Sequence, residues 1–187
     1  MKRIRKVVLA SESLQKKKIM IHVANELKLE LVVNPANVIE VKEDDPVKTA
    51  LVNALLKLRE VNGSFVVSSD AFAYCEGEML FKPKDKEDAI RILKKINENE
   101  VYVYTATAVK IFDFEITDIT VSKLFMKSFS EAEIAKKSSN PTILKKAGAF
   151  SISDVLAVEG NIHCVMGLNT DFVKKMYFTY INELEHI

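Results

Sequence analysis

Tryptophan is absent from the 187 residues, and cysteine, histidine, proline and glycine number only two, three, four and five. Each scarcity removes a class of protein. Cys75 and Cys164 lie far apart, which gives neither a disulfide framework nor a metal spacing and fits a reducing compartment. His22, His163 and His186 are isolated from one another, so a zinc site is not expected. With no repeat, low-complexity tract or long linker, residues 1–187 are expected to form a single domain, long enough to bury a core. Neither sign of charge predominates: 27 Lys and Arg stand against 26 Asp and Glu, a net charge of +1. That balance provides no global basic field for nucleic acid. Residues 1–6 are basic, but the apolar run behind them, Val7, Val8, Leu9 and Ala10, is too short for a signal-peptide core or a membrane span. A soluble, cytoplasmic protein is expected.

The chain is organised around residues 64–83, which pass from an apolar run to an acid, a turn and a lysine. Phe65, Val66 and Val67 read as a strand buried on both faces of a sheet. Asp70 follows where that strand would emerge at its carboxyl end, the side on which open α/β sheets bind ligands. Phe72 and Tyr74, then Met79, Leu80 and Phe81, read as the two arms of a hairpin. A three-residue loop, Cys75-Glu76-Gly77, sets Tyr74 opposite Glu78 and Asp70 opposite Lys82. A two-residue loop, Glu76-Gly77, sets Ala71 opposite Lys82 and turns Asp70 to the other face. Either register keeps the acid near the lysine, as a structural ion pair or as the floor of an active site.

In chain order, 7–10 reads as a first strand that runs through Ser11, Glu12 and Ser13 into a helix. Backbone N–H groups at such a start can hold an anion, and Lys16, Lys17 and Lys18 in the first turns favour one. The alternative is a Ser13 cap with a solvated lysine face. Leu31, Val32 and Val33 suggest a second strand. Glu40, Glu43, Asp44 and Asp45 read as a solvated acidic loop, with a place near a metal site as the alternative, before Pro46, which opens a helix ending near Asn62 and Gly63. Asp85 caps a third helix. The alternating runs 101–109 and 116–121 suggest antiparallel strands with one face wet. Ser130 and Glu133 form a capping box. Residues 155–158 and 163–166 read as short strands about a turn at 159–161. A last amphipathic helix carries Phe172, Val173, Met176, Tyr177, Tyr180, Ile181 and Leu184. The order mixes βα units with hairpins, so the class is α/β to α+β: a curved mixed sheet flanked by helices.

Four segments together resemble the Maf-like family of nucleoside triphosphate pyrophosphatases, also called septum-formation-inhibitor-like proteins. They are VVLASES at 7–13, SDAF and EGEMLFKPKDKEDAIRILKK within 69–95, KAGAFSI at 146–152 and VEGNIHCVMGL at 158–168. They occur in the family's order and span nearly the whole chain. The resemblance implies a two-lobed fold with a deep cleft, like that of inosine triphosphate pyrophosphatase. It also implies hydrolysis of a nucleoside triphosphate to the monophosphate and pyrophosphate with Mg2+ or Mn2+, and often a homodimer. Pyrimidine triphosphates, modified nucleotides and 7-methyl-GTP are the implied substrates.

By this resemblance Asp70 is the essential acid, as metal ligand or base, and Lys82 is a catalytic phosphate clamp. Ser11, Ser13 and Lys16 would grip phosphate, and Glu78 is the acid of the hairpin. The chain also departs from the family. Leu14, Gln15 and Lys16 stand where the family places a proline and two arginines, and Ala71 where it has threonine. Asn53 stands at a catalytic lysine, Lys145 at an aspartate and Ser153 at a base-contacting glutamine. Three functions follow as expectations: an active pyrophosphatase, a nucleotide-binding regulatory protein that keeps the cleft without the catalysis, or a protein whose cleft serves a different phosphorylated small molecule.

Overall fold

Val7, Val8 and Leu9 are buried, and strand β1 (Lys6–Leu9) that carries them pairs on both edges. It runs parallel to β2 (Glu30–Val33) and to β3 (Phe65–Cys75). The computed structural model describes the backbone of residues 4–185 and side chains as far as residue 182, so the Leu184 side chain and His186 lie outside the description. Between β1 and β2 runs α1 (Leu14–Glu26), opened by Ser13, whose Oγ accepts the Lys16 N–H at 3.4 Å. Next comes α2 (Pro46–Glu60), where Asp45 Oδ1 accepts the Lys48 N–H at 2.8 Å and Pro46 fills the first turn, where its missing N–H is harmless.

After β3 come β4 (Glu78–Leu80), α3 (Lys86–Ile96) and the long hairpin of β5 (Val101–Ile111) and β6 (Phe114–Met126). Helix α4 (Glu131–Ser138) begins in the expected capping box at Ser130 and Glu133. Three 3-10 turns, at Pro141–Lys145, Ala147–Ala149 and Ile152–Asp154, lead to β7 (Val155–Glu159), α5 (Ile162–Val165) and α6 (Thr170–Glu185). The seven-stranded mixed sheet has the order β2-β1-β3-β5-β6-β7, with β4 joined to β3. One core, with Leu9, Met20, Phe65, Val67 and Val173, lies under α1 and α6. A second, with Val8, Ala54, Leu58, Val66 and Phe72, lies under α2 on the opposite face. A third gathers Leu80, Ile92, Leu93, Val103 and Leu124 under α3 and α4.

Two expectations change, and the choice between two hairpin registers is decided. Strand β5 is buried on both faces over most of its length, because it lies between β3 and β6 with α2 and α6 packed against it; the wet strand is β6. Residues 163–166 are not a strand. Gly160 turns the chain at φ 127°, and Asn161 Oδ1 accepts the His163 N–H at 2.8 Å, which caps α5. Finally, the β3–β4 loop has two residues. Glu76 and Gly77 both have positive φ, 46° and 79°, the backbone of a tight hairpin turn, and the pairs are Cys75↔Glu78, Tyr74↔Met79 and Ala73↔Leu80.

The one-residue difference in register decides which face each side chain takes. Asp70, Phe72 and Tyr74 share the face of Met79, under α2. Glu78 and Leu80 take the other face, and β4 ends before Lys82, so Asp70 and Lys82 are not a cross-strand pair.

The edge of β3 is what positions the site. Strand β1 is in register with it only at Val66 and Val67, with a last link from the Ala10 N–H to the Val67 carbonyl at 2.8 Å. Strand β4 joins only from Ala73 onward. Residues 68–72 therefore form a window with no strand on one side among the described residues, while β5 pairs the other side throughout.

Candidate active site

Asp70 sits in that window, 6% exposed, and points toward α2. A carboxylate this buried needs partners, because desolvation strongly disfavours an unpaired charge. Two residues one helical turn apart on α2 supply them. Lys57 Nζ lies 2.6 Å from Asp70 Oδ1, and Asn53 Nδ2 donates to Asp70 Oδ2 at 3.4 Å. The i, i+4 spacing places both side chains on one face of the helix. Lys57 also reaches Glu40 Oε1 at 2.6 Å. Burial alone would lower the Lys57 pKa, but the charges and hydrogen bonds of Asp70 and Glu40 outweigh it and raise it. Burial likewise works against the charged form of Glu40, and Lys57, Lys82 and Lys16 overcome it and lower the Glu40 pKa.

Glu40 is presented by the loop of residues 34–45, which Asn53 holds. The Val41 N–H donates to Asn53 Oδ1 at 2.8 Å and Asn53 Nδ2 donates to the Val41 carbonyl at 2.9 Å. Thr49 adds a second tether, accepting the Glu43 N–H at 3.0 Å. Asn53 thus fastens a loop and touches the acid, while the ammonium next to Asp70 comes from Lys57.

On the other side of the window, the start of α1 approaches. The Ser13 N–H donates to Ser11 Oγ at 3.2 Å, and Lys16 Nζ donates to the Ser69 carbonyl at 3.0 Å on the open edge of β3. Lys16 is the most perturbed cation of the group, brought down to about 8 by burial first and then by the charge of Lys57, with Lys82 adding to the effect. Its stem passes over Gly167, whose carbonyl accepts from Ser69 Oγ at 2.8 Å. Lys82 is 60% exposed and stands 3.9 Å from Glu12 Oε1, near enough to act electrostatically on Lys16 and Glu40. Three amines therefore surround a carboxylate pair beside a helix N-terminus, an arrangement that concentrates positive potential where phosphate oxygens can enter.

Of the residues proposed from sequence, the structure gathers Asp70, Asn53, Lys16, Ser13 and Ser11, with Lys82 at the rim. Glu78 is elsewhere: on the opposite sheet face it pairs with Arg91 at 2.7 Å and with Lys95 at 3.4 Å. Ser153 lies in the turn before β7, where its carbonyl accepts from Lys127 Nζ at 2.6 Å, and it makes no hydrogen bond to the Asp70 group among the described residues. A cavity of about 580 Å³ under α4, lined by Lys137, Lys146 and Asp154 among others, likewise contains none of that group. Two functional candidates went unread in the sequence. For Glu40 the sequence offers only an acidic loop, solvated or near a metal, and Lys57 carries a signal only in its four-residue spacing from Asn53.

Comparison with known proteins adds lineage to this geometry. A family model described as Maf-like protein matches residues 6–178. The chain is 32% identical over 184 residues to a dTTP/UTP pyrophosphatase of Caldicellulosiruptor saccharolyticus, covering 88% of this chain and 89% of that one. It is 31% identical over 173 residues to a dTTP/UTP pyrophosphatase of Aquifex aeolicus, covering 87% and 89%. Among solved structures, the Staphylococcus aureus Ham1 protein superposes with a TM-score of 0.50 over 80% of this chain and 88% of its own. At 13% identity that is a likeness of fold.

Proposed function

The chain belongs to the Maf-like protein family, and we propose that it is a nucleoside triphosphate pyrophosphatase, cleaving the α–β phosphoanhydride to yield a nucleoside monophosphate and pyrophosphate. The observation that carries this reading is Asp70, held by Lys57 and Asn53 in an open stretch of sheet edge beside a capped helix start. In the reaction a water oxygen bonds to the α-phosphorus as the bridging P–O bond breaks, and the leaving pyrophosphate carries away the electron pair. Asp70 orients that water and, as base, takes the proton it loses. Lys16 and Lys82 meet the growing negative charge on the leaving group, with Ser11 and Ser13 at the phosphate-binding turn. Pyrimidine triphosphates are the first substrates to expect, since dTTP and UTP are named for relatives that align over most of this chain.

The reaction class calls for Mg2+ or Mn2+, and the donor set fits one. Asp70 and Glu40 supply hard oxygen ligands and already accommodate a cation, the Lys57 ammonium, between them. A divalent ion held there would neutralise phosphate charge. No described helix is long and apolar enough to cross a membrane, and both cysteines are free, which accords with a cytoplasmic location.

The seam of a homodimer runs along β6. Residues 114–121 have no strand on their outer edge among the described residues, and Phe114, Ile116 and Val121 are exposed there. The acids that could guard this edge are engaged, Glu115 with Arg59 at 2.8 Å and Asp118 with Asn169 at 2.9 Å. Antiparallel self-pairing centred on Ile119 sets Asp118 opposite Thr120 of the second copy and avoids two facing aspartates.

The test of function is pyrophosphate release across ordinary and modified nucleoside triphosphates, 7-methyl-GTP included, with Mg2+ and Mn2+. Turnover on one class that drops at least about 10²-fold in Asp70→Asn supports the enzyme. Unchanged turnover in that variant overturns it. Silence across the panel, with melting still raised by a triphosphate, would replace the enzyme with a nucleotide-binding protein.

A further inference from the structure

Lys57 occupies the place between two carboxylates that a divalent ion would need. Its Nζ is 2.6 Å from Asp70 Oδ1 and 2.6 Å from Glu40 Oε1, with the side chain 14% exposed. Mg2+ binds carboxylate oxygens at about 2.1 Å, so ammonium and metal compete for nearly the same volume. The two acids differ in freedom. Asp70 is fixed in the central sheet, whereas the Glu40 side chain is half exposed on a loop tethered at Val41.

We propose that Lys57 is a resident counter-ion, displaced from the Asp70–Glu40 pair when a metal-bearing triphosphate arrives and transferred to the phosphate oxygens. The proposal rests on reading the site as one for a metal–triphosphate. Charge supplies the reason. One ammonium leaves the two carboxylates with a net charge of −1, so neither acid is stranded without a cation. A divalent ion entering while Lys57 stays would crowd a +2 charge against Lys57, with Lys16 and Lys82 close by. A triphosphate reverses this, because its oxygens give the displaced ammonium a new partner. Lysine suits the exchange: it is a compact charge on a flexible stem, where arginine would lock both acids in a planar fork. Free metal would then bind poorly until nucleotide brings it.

The experiment is a Mn2+ titration without nucleotide, following the free-ion electron paramagnetic resonance signal, on the full chain and on Lys57→Gln. Removing the competing ammonium should tighten Mn2+ binding at least tenfold, and adding Glu40→Gln should abolish that gain. A folded Lys57→Gln protein whose Mn2+ affinity stays within twofold of the parent overturns the proposal. If Lys57→Gln does not fold, the parent protein decides. Its Lys57 ammonium resonance in a 15N-lysine spectrum should shift on addition of Mg2+ with a non-hydrolysable triphosphate, and an unmoved resonance overturns the proposal. Loss of the pyrophosphatase reading would register separately, as absence of pyrophosphate release from the parent protein.

Discussion

A Cβ on Gly167 would stand 2.9 Å from Lys16 Cε, so the bare backbone of Gly167 is what lets the Lys16 stem lie across it toward Ser69. Gly167 also holds φ at +95°, a conformation that side chains resist. In Gly167→Ala the lysine is pushed off the window. We expect kcat/KM for the triphosphate to fall about tenfold, the equivalent of one lost charge-assisted hydrogen bond, with kcat carrying the loss because the charge Lys16 meets grows in the transition state. Strain of about 1 kcal/mol or more should lower Tm by a few degrees. Steady-state kinetics and a thermal melt check both, and an unchanged kcat/KM would remove Lys16 from the phosphate site.

Lys16 also sets a pH signature. Its folded pKa of about 8 lies below the ordinary 10.5, so the unfolded chain keeps this proton over a range where the folded chain has lost it. Stability contributed by this group therefore rises with pH between those values, and below pH 8 the charged, buried amine is a standing penalty. Lys16→Met should melt higher than the parent at pH 7, and the difference should shrink as pH climbs toward 10.5. Triphosphate affinity of the parent should weaken above pH 8 as the free site loses its charge. Parallel melts across that range, with and without nucleotide, decide the matter.

Glu78 provides the contrasting case. It faces α3, tied to Arg91 and Lys95 on the side of the sheet away from Asp70. Replacing it with alanine removes partly exposed ion pairs worth about 0–1 kcal/mol and should leave pyrophosphate release within twofold of the parent. A large loss of turnover in a folded Glu78→Ala protein would mean that the hairpin reaches the substrate.

Self-pairing along β6 predicts that Val121→Lys converts a dimer to a monomer in sedimentation velocity, since an edge lysine opposes strand addition. Ile119→Cys, at the proposed two-fold axis, should cross-link to itself on oxidation. A parent protein that sediments as a monomer at tens of micromolar ends the idea.

Helix starts were legible in the sequence because a cap is local: Ser13, Asp45 with Pro46, Asp85 and Ser130 each announce a helix within three residues of themselves. Asp70 was legible for a related reason, its place after a run of buried β-branched residues. The hairpin register was not, because it turned on whether Cys75 belongs to the loop or the strand, and both choices satisfy the local pattern. The Asp70–Lys57–Glu40 cluster was harder still. It joins a strand, a helix and a loop, and nothing near Glu40 in sequence reveals that Asn53 fastens Val41. The α5 segment misled because its apolar residues, Ile162, Cys164 and Val165, suit a strand as well as a helix until Asn161 is seen to cap it.

The shortness of β4 has a consequence of its own. Were the hairpin to zip two rungs further, Phe81 and Lys82 would align with Phe72 and Ala71, and the exposed flank of β3 would begin to close from that end. Three residues of strand, and no more, keep the door ajar. A change that merely stiffened this hairpin, touching no acid and no lysine, could therefore silence the protein while making it more stable.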